Sequence, residues 1–361
     1  MPLNASDWPR WRRLLDEHFG APLPGSYRGV AEDFVVEELL DFTPEGQGEH
    51  LWLFIEKRGQ TTLDVVRALG RLCKTGPREI GYSGMKDRIA ITRQWLSVQL
   101  PGREPPEGLE TALAESGIQV LQCHRHPRKL KRGVHRRNRF TLRLSGPAMA
   151  EEALTPRWQH LCEQGVPNYF GPQRFGPEGR NLFRAEALLA KGWRKRDDRH
   201  GMLLSSARSF LFNTLLSARI EEGSWATPCP ADTLMLDGTQ SLFAIDEVDE
   251  TLYARAGRLD VHPTAPLWGK GVEEQGAMAA HAQTLEKTYP TLCAGLERSG
   301  VAVSRRALRM RLSEPRLERE APDRVVLSFE LPKGSFATAV ISELIAHPDF
   351  EPVRPGAALS P

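Results

Sequence analysis

The sequence has few of the residues and none of the runs that mark a secreted or membrane protein. Its five cysteines in 361 residues are dispersed and include no C-x-x-C pair, so neither a disulfide framework nor a structural zinc site is expected. No apolar run approaches the about 20 residues of a membrane-spanning helix. Residues 1–20 are charged throughout and lack the apolar core of a secretory signal. We therefore predict a cytoplasmic protein without membrane contact, with buried free thiols at Cys73, Cys123, Cys162, Cys229 and Cys293.

The motifs of common cofactor sites are also missing. No G-x-G-x-x-G or G-x-x-x-x-G-K-[ST] sequence occurs, which excludes the usual dinucleotide fold and the P-loop, and there is no H-E-x-x-H for zinc. His124, His126 and His135 could ligate a metal, but they lie in a basic segment whose charge opposes a cation. We predict no cofactor and no metal.

What is present is ordinary globular composition. A charged fraction of 26% with 40% hydrophobic residues excludes a disordered or collagen-like chain. At roughly 100 to 200 residues per domain, the length predicts two domains and a sizeable core.

The net charge of +2 conceals a strong asymmetry. Residues 121–143 contain nine Lys or Arg and no acid, so this segment is +9 and the remainder is −7. Like charges repel unless a polyanion neutralises them, which favours nucleic-acid or phosphate binding over a solvated loop. Phe140, Leu142 and Leu144 alternate with polar residues as in a strand, so the segment is predicted to lie inside a fold.

Local patterns predict an α/β mixture in the first half of the chain. Residues 33–40 and 50–57 are predicted strands joined by a turn-rich loop as a long hairpin, and Thr62 is predicted to cap a helix that runs to about residue 73. Further strands are predicted at 80–83, 92–100 and 118–123, with a helix at 107–116. We expect these strands to be antiparallel.

Helices dominate the predicted second half. Helices are predicted at 181–191 and 203–221, a tight Asp-Gly hairpin near 234–245, and one long helix from about residue 274. The end of the chain returns to a strand at 325–331 and a helix at 336–346.

The first segment with candidate chemistry is GMKDR at residues 84–88, a predicted turn between two strands. Asp87 lies between two cations and is expected to stay ionised, which suits a carboxylate nucleophile. Gly84 lets the backbone approach a ligand closely. A charged β-turn without chemical function is the alternative.

The second such segment is VPNYFGPQRFG at residues 166–176. Its three aromatics, Asn, Gln and Arg are suited to stack on and hydrogen-bond unpaired RNA bases. A tightly packed structural loop with buried aromatics would have the same composition.

These segments together resemble one family. GMKDRIAITRQWL (84–96), VPNYFGPQRFG (166–176) and LPKGSFAT (331–338) are similar to motifs of the TruD family, the pseudouridine synthases that modify uridine 13 in tRNA. EDFVVE (32–37) and SARSFLFN (206–213) agree, so the resemblance runs from about residue 24 to 346.

The resemblance implies an α+β fold with one domain nested inside another. A discontinuous catalytic domain, with a mixed, mainly antiparallel sheet and helices, is expected at residues 1–193 and 311–361. An inserted α/β TRUD domain is expected at 194–310.

The resemblance also implies site residues. Asp87 matches the catalytic aspartate, Asn168 and Phe170 match positions that line the catalytic pocket, and Phe336 matches an aromatic near the target base. Arg28 stands where the family usually has Lys, and we predict that it binds substrate, as does Lys86. The RNA phosphates are predicted to contact basic residues of the +9 segment, namely Arg125, Arg128, Lys129, Lys131, Arg132, Arg136 and Arg137.

The expected reaction is isomerisation of uridine to pseudouridine by a monomer that acts on tRNA without an obligate protein partner. Asp87 would attack C1′, attack C6 or abstract the 2′ proton, and all three routes stay open. One alternative is a non-catalytic RNA-binding or RNA-chaperone protein. A nuclease or methyltransferase is another, but it would normally show a His/acid pair or a Gly-rich cofactor loop.

Overall fold

Residues 11–198 and 201–350 are described by a computed structural model. The helices are α1 (Asp16–Phe19), α2 (Thr62–Leu72), α3 (Leu109–Glu115), α4 (Glu151–Gln164), α5 (Arg180–Lys191), α6 (Met202–Glu221), α7 (Glu250–Gly257), α8 (Gly276–Thr288), α9 (Pro290–Arg298) and α10 (Ala337–Leu344). The strands are β1 (Ser26–Tyr27), β2 (Phe34–Leu39), β3 (His50–Arg58), β4 (Ile80–Tyr82), β5 (Ile91–Gln99), β6 (Ile118–His126), β7 (Arg137–Ser145), β8 (Val166–Pro167), β9 (Thr233–Leu236), β10 (Leu242–Ala244), β11 (Val261–Leu267), β12 (Ser304–Ala307), β13 (Arg309–Met310), β14 (Ser313–Ala321) and β15 (Arg324–Pro332).

The chain divides into two compact units, each described by itself. The sheet unit comprises residues 25–150 and 313–334, and the helical unit comprises the described residues of 11–24, 151–312 and 335–350. The bounds of these two units reflect which parts of the chain pack against one another. The nested catalytic and TRUD domains, with bounds at 193/194 and 310/311, stay a prediction.

The sheet unit is built on a nine-stranded sheet. Its order is β14-β15-β7-β2-β5-β3-β6, with β1 on β7 and β4 on β5. The pairing of β2 with β5 is parallel and the other pairings are antiparallel. Helices α2 and α3 cover one face, where apolar side chains such as Leu53, Leu69 and Leu113 form the core. The prediction of a mixed, mainly antiparallel sheet is therefore confirmed.

The predicted hairpin between residues 33–40 and 50–57 is wrong. Both strands form, but β5 lies between β2 and β3 and pairs with each of them. The loop between them is long enough to skip one strand position, and β5 offers both strands a partner with matching apolar residues. This arrangement places the β4–β5 turn beside β2.

The predicted cap of α2 is off by one residue. Thr61 is the N-cap, and it shares a reciprocal capping box with Asp64. Thr62 is buried inside the first turn, and its Oγ1 is 2.9 Å from the main-chain nitrogen of Lys86 and from Oε1 of Gln94. A hydroxyl predicted to cap a helix instead ties that helix to the Asp87 turn.

The helical unit has α6 at its core. Thirteen residues of α6 are buried, far more than the one face predicted, because α5, α8, α9 and β11 pack around it. A four-stranded sheet of order β10-β9-β11-β12 and a two-stranded pair of β8 and β13 complete the unit. The hairpin predicted near 234–245 is confirmed as β9 and β10, but five residues, 237–241, join the strands where a tight turn was predicted.

Two other predictions need correction. The long helix expected from residue 274 is two helices, α8 and α9, separated at Tyr289 by Pro290, which cannot continue the hydrogen bonding of α8. The five cysteines are free, as predicted, but Cys123 is exposed on the edge strand β6, and only Cys73 and Cys293 are buried.

Candidate active site

The turn at residues 83–90, between β4 and β5, presents Asp87 at the surface of the sheet unit. Its side chain is 40% exposed, and Oδ2 is 3.4 Å from a guanidinium nitrogen of Arg28. Oδ1 accepts a hydrogen bond from the main-chain N–H of Ile89 at 3.2 Å. The carboxylate is thus oriented from two sides while remaining open to solvent.

Arg28 is fixed by an aromatic ring. Its guanidinium carbon is 4.2 Å from the ring centroid of Phe34 and 5.3 Å from that of Tyr27. The guanidinium has several nitrogens, so Arg28 can contact the Phe34 ring and still reach Asp87 with one of them. Arg28 has a left-handed backbone conformation, with φ of 59°, which is uncommon outside glycine.

Lys57 holds the Asp87 turn through hydrogen bonds to main-chain oxygens. This lysine of β3 is buried, and its Nζ donates to the main-chain oxygens of Asp87 at 3.1 Å and of Gln60 at 2.6 Å. Burial lowers the pKa of Lys57 to about 8, although the nearby Asp87 carboxylate opposes that change. The ammonium therefore holds the peptide of Asp87 in place and contributes positive charge beneath it.

Lys86 points inward although it adjoins Asp87. Its side chain is 8% exposed, and Nζ is 2.9 Å from Oε1 of Glu38 and 2.8 Å from Oδ1 of Asn138. Burial raises the pKa of Glu38, and the Lys86 ammonium partly offsets this effect. The other Glu38 oxygen accepts the main-chain N–H of Trp95 at 3.1 Å, so the pair joins β2, β5 and β7.

The basic segment reaches this turn through Ser83. The main-chain N–H of Gly133 donates to the Ser83 carbonyl at 2.8 Å, and that of His135 donates to Ser83 Oγ at 2.8 Å. His135 Nδ1 also contacts Ser83 Oγ. Burial, with smaller contributions from the charges of Lys86 and Lys333, lowers the pKa of His135 to about 4, so the imidazole is neutral near pH 7.

The nine cations of the +9 segment fall into two groups. Five form ion pairs with acids of the same unit: Arg125 with Glu104, Arg136 with Asp41, Arg137 with Glu330, Arg139 with Glu37 and Glu330, and Arg143 with Asp33 and Glu320. The other four have no carboxylate within 4.0 Å among the described residues: Arg128, Lys129, Lys131 and Arg132. All four lie in the loop at residues 127–136, the loop that contacts Ser83.

The helical unit contains the other predicted site residues. Asn168 is buried, with Nδ2 donating to the Ala307 carbonyl at 2.9 Å and Oδ1 accepting from Ser335 Oγ at 3.2 Å. Arg306 also donates to the side chain and main-chain oxygens of Asn168. The structure therefore brings Asn168 next to Ser335 of the 331–338 motif. The side-chain amide of Asn168 is hydrogen-bonded to protein groups on both its nitrogen and its oxygen.

Phe170 and Phe336 lie together in this unit, with ring centroids 5.7 Å apart. The Phe170 ring is 8% exposed, and the guanidinium carbon of Arg306 lies 4.1 Å from its centroid. Arg174 lies 5.5 Å from the centroids of both rings. Phe336 is half-buried, so it is the more accessible ring of the two.

The 206–213 motif explains how segment 166–176 is held. Asn213 of α6 accepts the main-chain N–H of Phe170 at 2.9 Å and donates to its carbonyl at 3.0 Å. Ser206, seven residues earlier on the same helix face, donates to the Arg174 carbonyl at 3.3 Å. Side chains of α6 thus hold the main chain of segment 166–176 at two points, Phe170 and Arg174.

The family model for tRNA pseudouridine synthase D (TruD) matches residues 20–196 and 197–344. The chain belongs to the TruD family. Its family and its α+β fold, predicted from the motifs, are confirmed. As a member of this family the chain is a tRNA pseudouridine synthase, an isomerase of tRNA modification.

Individual TruD proteins are similar over nearly the whole chain. A protein named tRNA pseudouridine synthase D from Chromohalobacter salexigens is 56% identical over 341 residues, 94% of this chain and 97% of that protein. One of the same name from Methylococcus capsulatus is 40% identical over 351 residues, 96% of this chain and 97% of that protein. A TruD crystal structure from Methanosarcina mazei superposes with a TM-score of 0.66 at 20% identity, covering 90% of this chain and 94% of that one, which supports the fold alone.

The predicted TruD site residues lie in both units. Asp87, Arg28 and Lys86 come together in the sheet unit, and Asn168, Phe170 and Phe336 in the helical unit. Their roles stay predictions, as do the phosphate contacts, the uridine 13 specificity, the monomeric state and the cytoplasmic location. None of the described helices is long and apolar enough to cross a membrane. Within residues 11–198 and 201–350, no group of three or more His, Cys, Asp or Glu is arranged to hold a metal ion.

Sequence reasoning missed several residues of this TruD site. In β2 and β7 every second residue is buried, and Glu38 and Asn138 occupy such inward positions. A polar residue at an inward position of an alternating strand was an available signal for both. Lys57 carried no such signal, because it stands between Glu56 and Arg58 at the charged end of β3. Arg174 belongs to the 166–176 segment that its composition had already singled out. For Arg306 the sequence holds no comparable signal, because its contact with Phe170 depends on long-range packing.

Proposed function

We propose that this chain converts uridine 13 of tRNA to pseudouridine with Asp87 as the catalytic carboxylate. The observation that carries the proposal is the placement of Asp87. It is a solvent-open carboxylate held by Arg28, by the Ile89 N–H and, through its peptide, by buried Lys57. Such preorganisation of one exposed acid is typical of a catalytic group.

The reaction breaks the N1–C1′ bond, turns the uracil while it is bound, and forms a C5–C1′ bond. C5 loses its proton to solvent and N1 gains one, so atoms balance without a cofactor. Asp87 would act by adding to C1′, by adding to C6, or by removing the 2′ proton to form a glycal. In each case the route begins with a carboxylate that is fixed in direction.

The surrounding residues would divide the remaining tasks. Arg28 orients the Asp87 carboxylate on its substrate side, and Lys86 holds the turn by its pair with Glu38. In the helical unit Phe336 offers a ring to the extruded uracil, and Phe170 and Asn168 support it. The loop at 127–136 supplies cations for RNA phosphates, with Arg128, Lys129, Lys131 and Arg132 carrying most of the interaction.

Asp87→Asn tests the proposal. The variant should lose about 10³-fold or more of the release of tritium from 5-tritiated uridine in tRNA, because the amide is neutral and a poor nucleophile. Binding of tRNA should change little. Glu110→Gln, which removes an exposed carboxylate on α3, is the matched control and should keep full activity.

Mapping of pseudouridine in the treated tRNA completes the test. Product at position 13 supports the assigned specificity, and product at another position overturns it. Normal turnover by Asp87→Asn would exclude Asp87 as the catalytic acid. A wild-type protein that binds tRNA but makes no pseudouridine would instead favour a non-catalytic RNA-binding protein.

A further inference from the structure

Arg174 of the helical unit is a partly buried cation with little neutralisation. It lies in a short 3₁₀ turn, Pro172–Phe175, and one guanidinium nitrogen donates to Ser205 Oγ at 3.1 Å. Among the described residues no carboxylate lies within 4.0 Å of it. Burial lowers the pKa of Arg174, and no acidic side chain opposes that change.

Other buried arginines of the same unit are satisfied differently. Arg219 pairs with Asp232 at 3.0 Å, and Arg305 pairs with Glu274 at 2.8 Å. Removing a cation from water costs several kcal/mol unless an anion or several acceptors replace the water. Arg174 donates to one hydroxyl, that of Ser205. An anionic ligand would supply the further hydrogen-bond acceptors and the negative charge that this guanidinium lacks.

A second cation, Arg306, lies beside the Phe170 ring that Arg174 also approaches. The guanidinium carbon of Arg306 lies 4.1 Å from the centroid of the Phe170 ring, and that of Arg174 lies 5.5 Å from it. Burial, with a smaller contribution from the charge of Arg174, lowers the pKa of Arg306 to about 9. Two mutually repelling cations on one aromatic cluster create a local positive potential. Arg306 donates to the Asn168 carbonyl, whereas the hydrogen bond of Arg174 goes to the Ser205 hydroxyl.

We infer that Arg174 binds a phosphodiester group of the RNA substrate, next to a base stacked on Phe336. A guanidinium presents paired N–H donors that match two phosphate oxygens, and Phe336, 5.5 Å from the guanidinium carbon, is placed to stack on the attached base. This inference rests on the proposed function, because it takes tRNA as the ligand, and adds to it a phosphate contact in the helical unit.

The test measures tRNA binding by wild type, Arg174→Gln and Arg174→Lys over a range of salt concentrations. Arg174→Gln should weaken binding about tenfold and reduce the slope of log affinity against log salt by about 0.7 to 0.9, the value for one lost phosphate contact. Arg174→Lys should keep most of the slope but bind several-fold more weakly, because an ammonium lacks the paired donors. Arg298→Gln, an exposed arginine at the end of α9, is the control and should change neither quantity.

Single methylphosphonate substitutions in the tRNA make the test independent of folding. Neutralising the phosphate that Arg174 contacts should weaken binding by wild type but not by Arg174→Gln. If every substitution affects the two proteins equally, or if Arg174→Gln binds tRNA with unchanged affinity and slope, the inference is wrong. Pseudouridine formation by wild type, measured in parallel, distinguishes that result from failure of the proposed function.

Discussion

At the scale of single residues, the Asp87 turn alternates an inward cation with an outward acid. Lys86 enters the protein to meet Glu38 and Asn138, and Asp87 faces solvent. Removing Lys86 would leave Glu38 as an uncompensated buried charge, a change that typically costs about 3–5 kcal/mol. The buried pair therefore fixes the backbone from which Asp87 projects.

His135 predicts how stability depends on pH. Its pKa is about 4 in the folded protein and 6.5 ordinarily, so between these pH values the unfolded chain binds a proton that the folded chain does not. Acid therefore favours unfolding in this window. We expect His135 to remove about 3 kcal/mol of unfolding free energy as pH falls from 6.5 to 4.

Denaturant unfolding of wild type and His135→Gln at several pH values measures this contribution. As pH falls through this window, wild type should lose more unfolding free energy than His135→Gln, whatever the difference between the two proteins at pH 7. His124→Gln, a histidine of β6, serves as the control. A constant difference between wild type and His135→Gln from pH 7 to 4 would contradict the prediction.

At the scale of elements, one loop joins the basic segment to the Asp87 turn. The loop at 127–136 leaves the edge strand β6 and crosses a face of the sheet, where Leu130 packs with Trp52 and Trp95. The Leu130 N–H donates to Ser97 Oγ at 2.9 Å. Close approach is possible because Gly81 of β4 has no side chain.

Gly81→Ala should displace this loop. An added Cβ would lie 2.3 Å from the Leu130 carbonyl oxygen and 2.6 Å from Ser97 Oγ, so loop or strand must move. We expect a loss of about 1–3 kcal/mol in unfolding free energy and weaker tRNA binding.

Gly257→Ala provides the matched control. It lies in α7 with nothing within 4 Å of the added Cβ, so its effect should be neutral or slightly stabilising. Thermal unfolding and tRNA affinity of the two variants check the prediction. An unperturbed Gly81→Ala would mean that the close contact does not hold the loop.

At the scale of the whole molecule, the net charge of +2 is the sum of +9 in residues 121–143 and −7 in the remainder. The +9 segment is offset by acids of the same unit that pair with five of its nine cations. Within this segment, the cations without a carboxylate partner among the described residues therefore lie in the loop at 127–136. Long-range attraction of a polyanion depends on such unpaired charge more than on the net value.

Reversing the four unpaired cations, Arg128, Lys129, Lys131 and Arg132, to Glu should weaken tRNA binding by on the order of 10²-fold at low salt and reduce the salt slope by about three. The matched control reverses four exposed cations on helices of the other unit, namely Arg184, Lys191, Lys287 and Arg298. It changes the net charge equally. Equal losses from both variants would show that overall charge, and not this loop, determines binding.

Much of the local structure could be predicted from the sequence. Strands β2, β3, β5 and β7 and helices α5 and α6 were found from apolar periodicity, because each depends on neighbours a few residues away. The β4–β5 turn and Asp87 were found from charge and glycine in one short segment. Strand β14 was missed, since its alternating Glu and Arg residues leave no buried face to detect.

The tertiary structure decided which residues far apart in the sequence contact one another, and so which charges are paired or buried. The sequence by itself determined the family, the main elements and the positions of Asp87, Phe170 and Phe336. Only the fold placed β5 between β2 and β3, and so brought Lys86, Glu38 and Asn138 into one buried group. Only the fold separated paired from unpaired cations and set Arg174 beside Phe336. The physical reason is that periodicity is a short-range property of the chain, whereas charge pairing and burial depend on contacts between residues far apart in sequence.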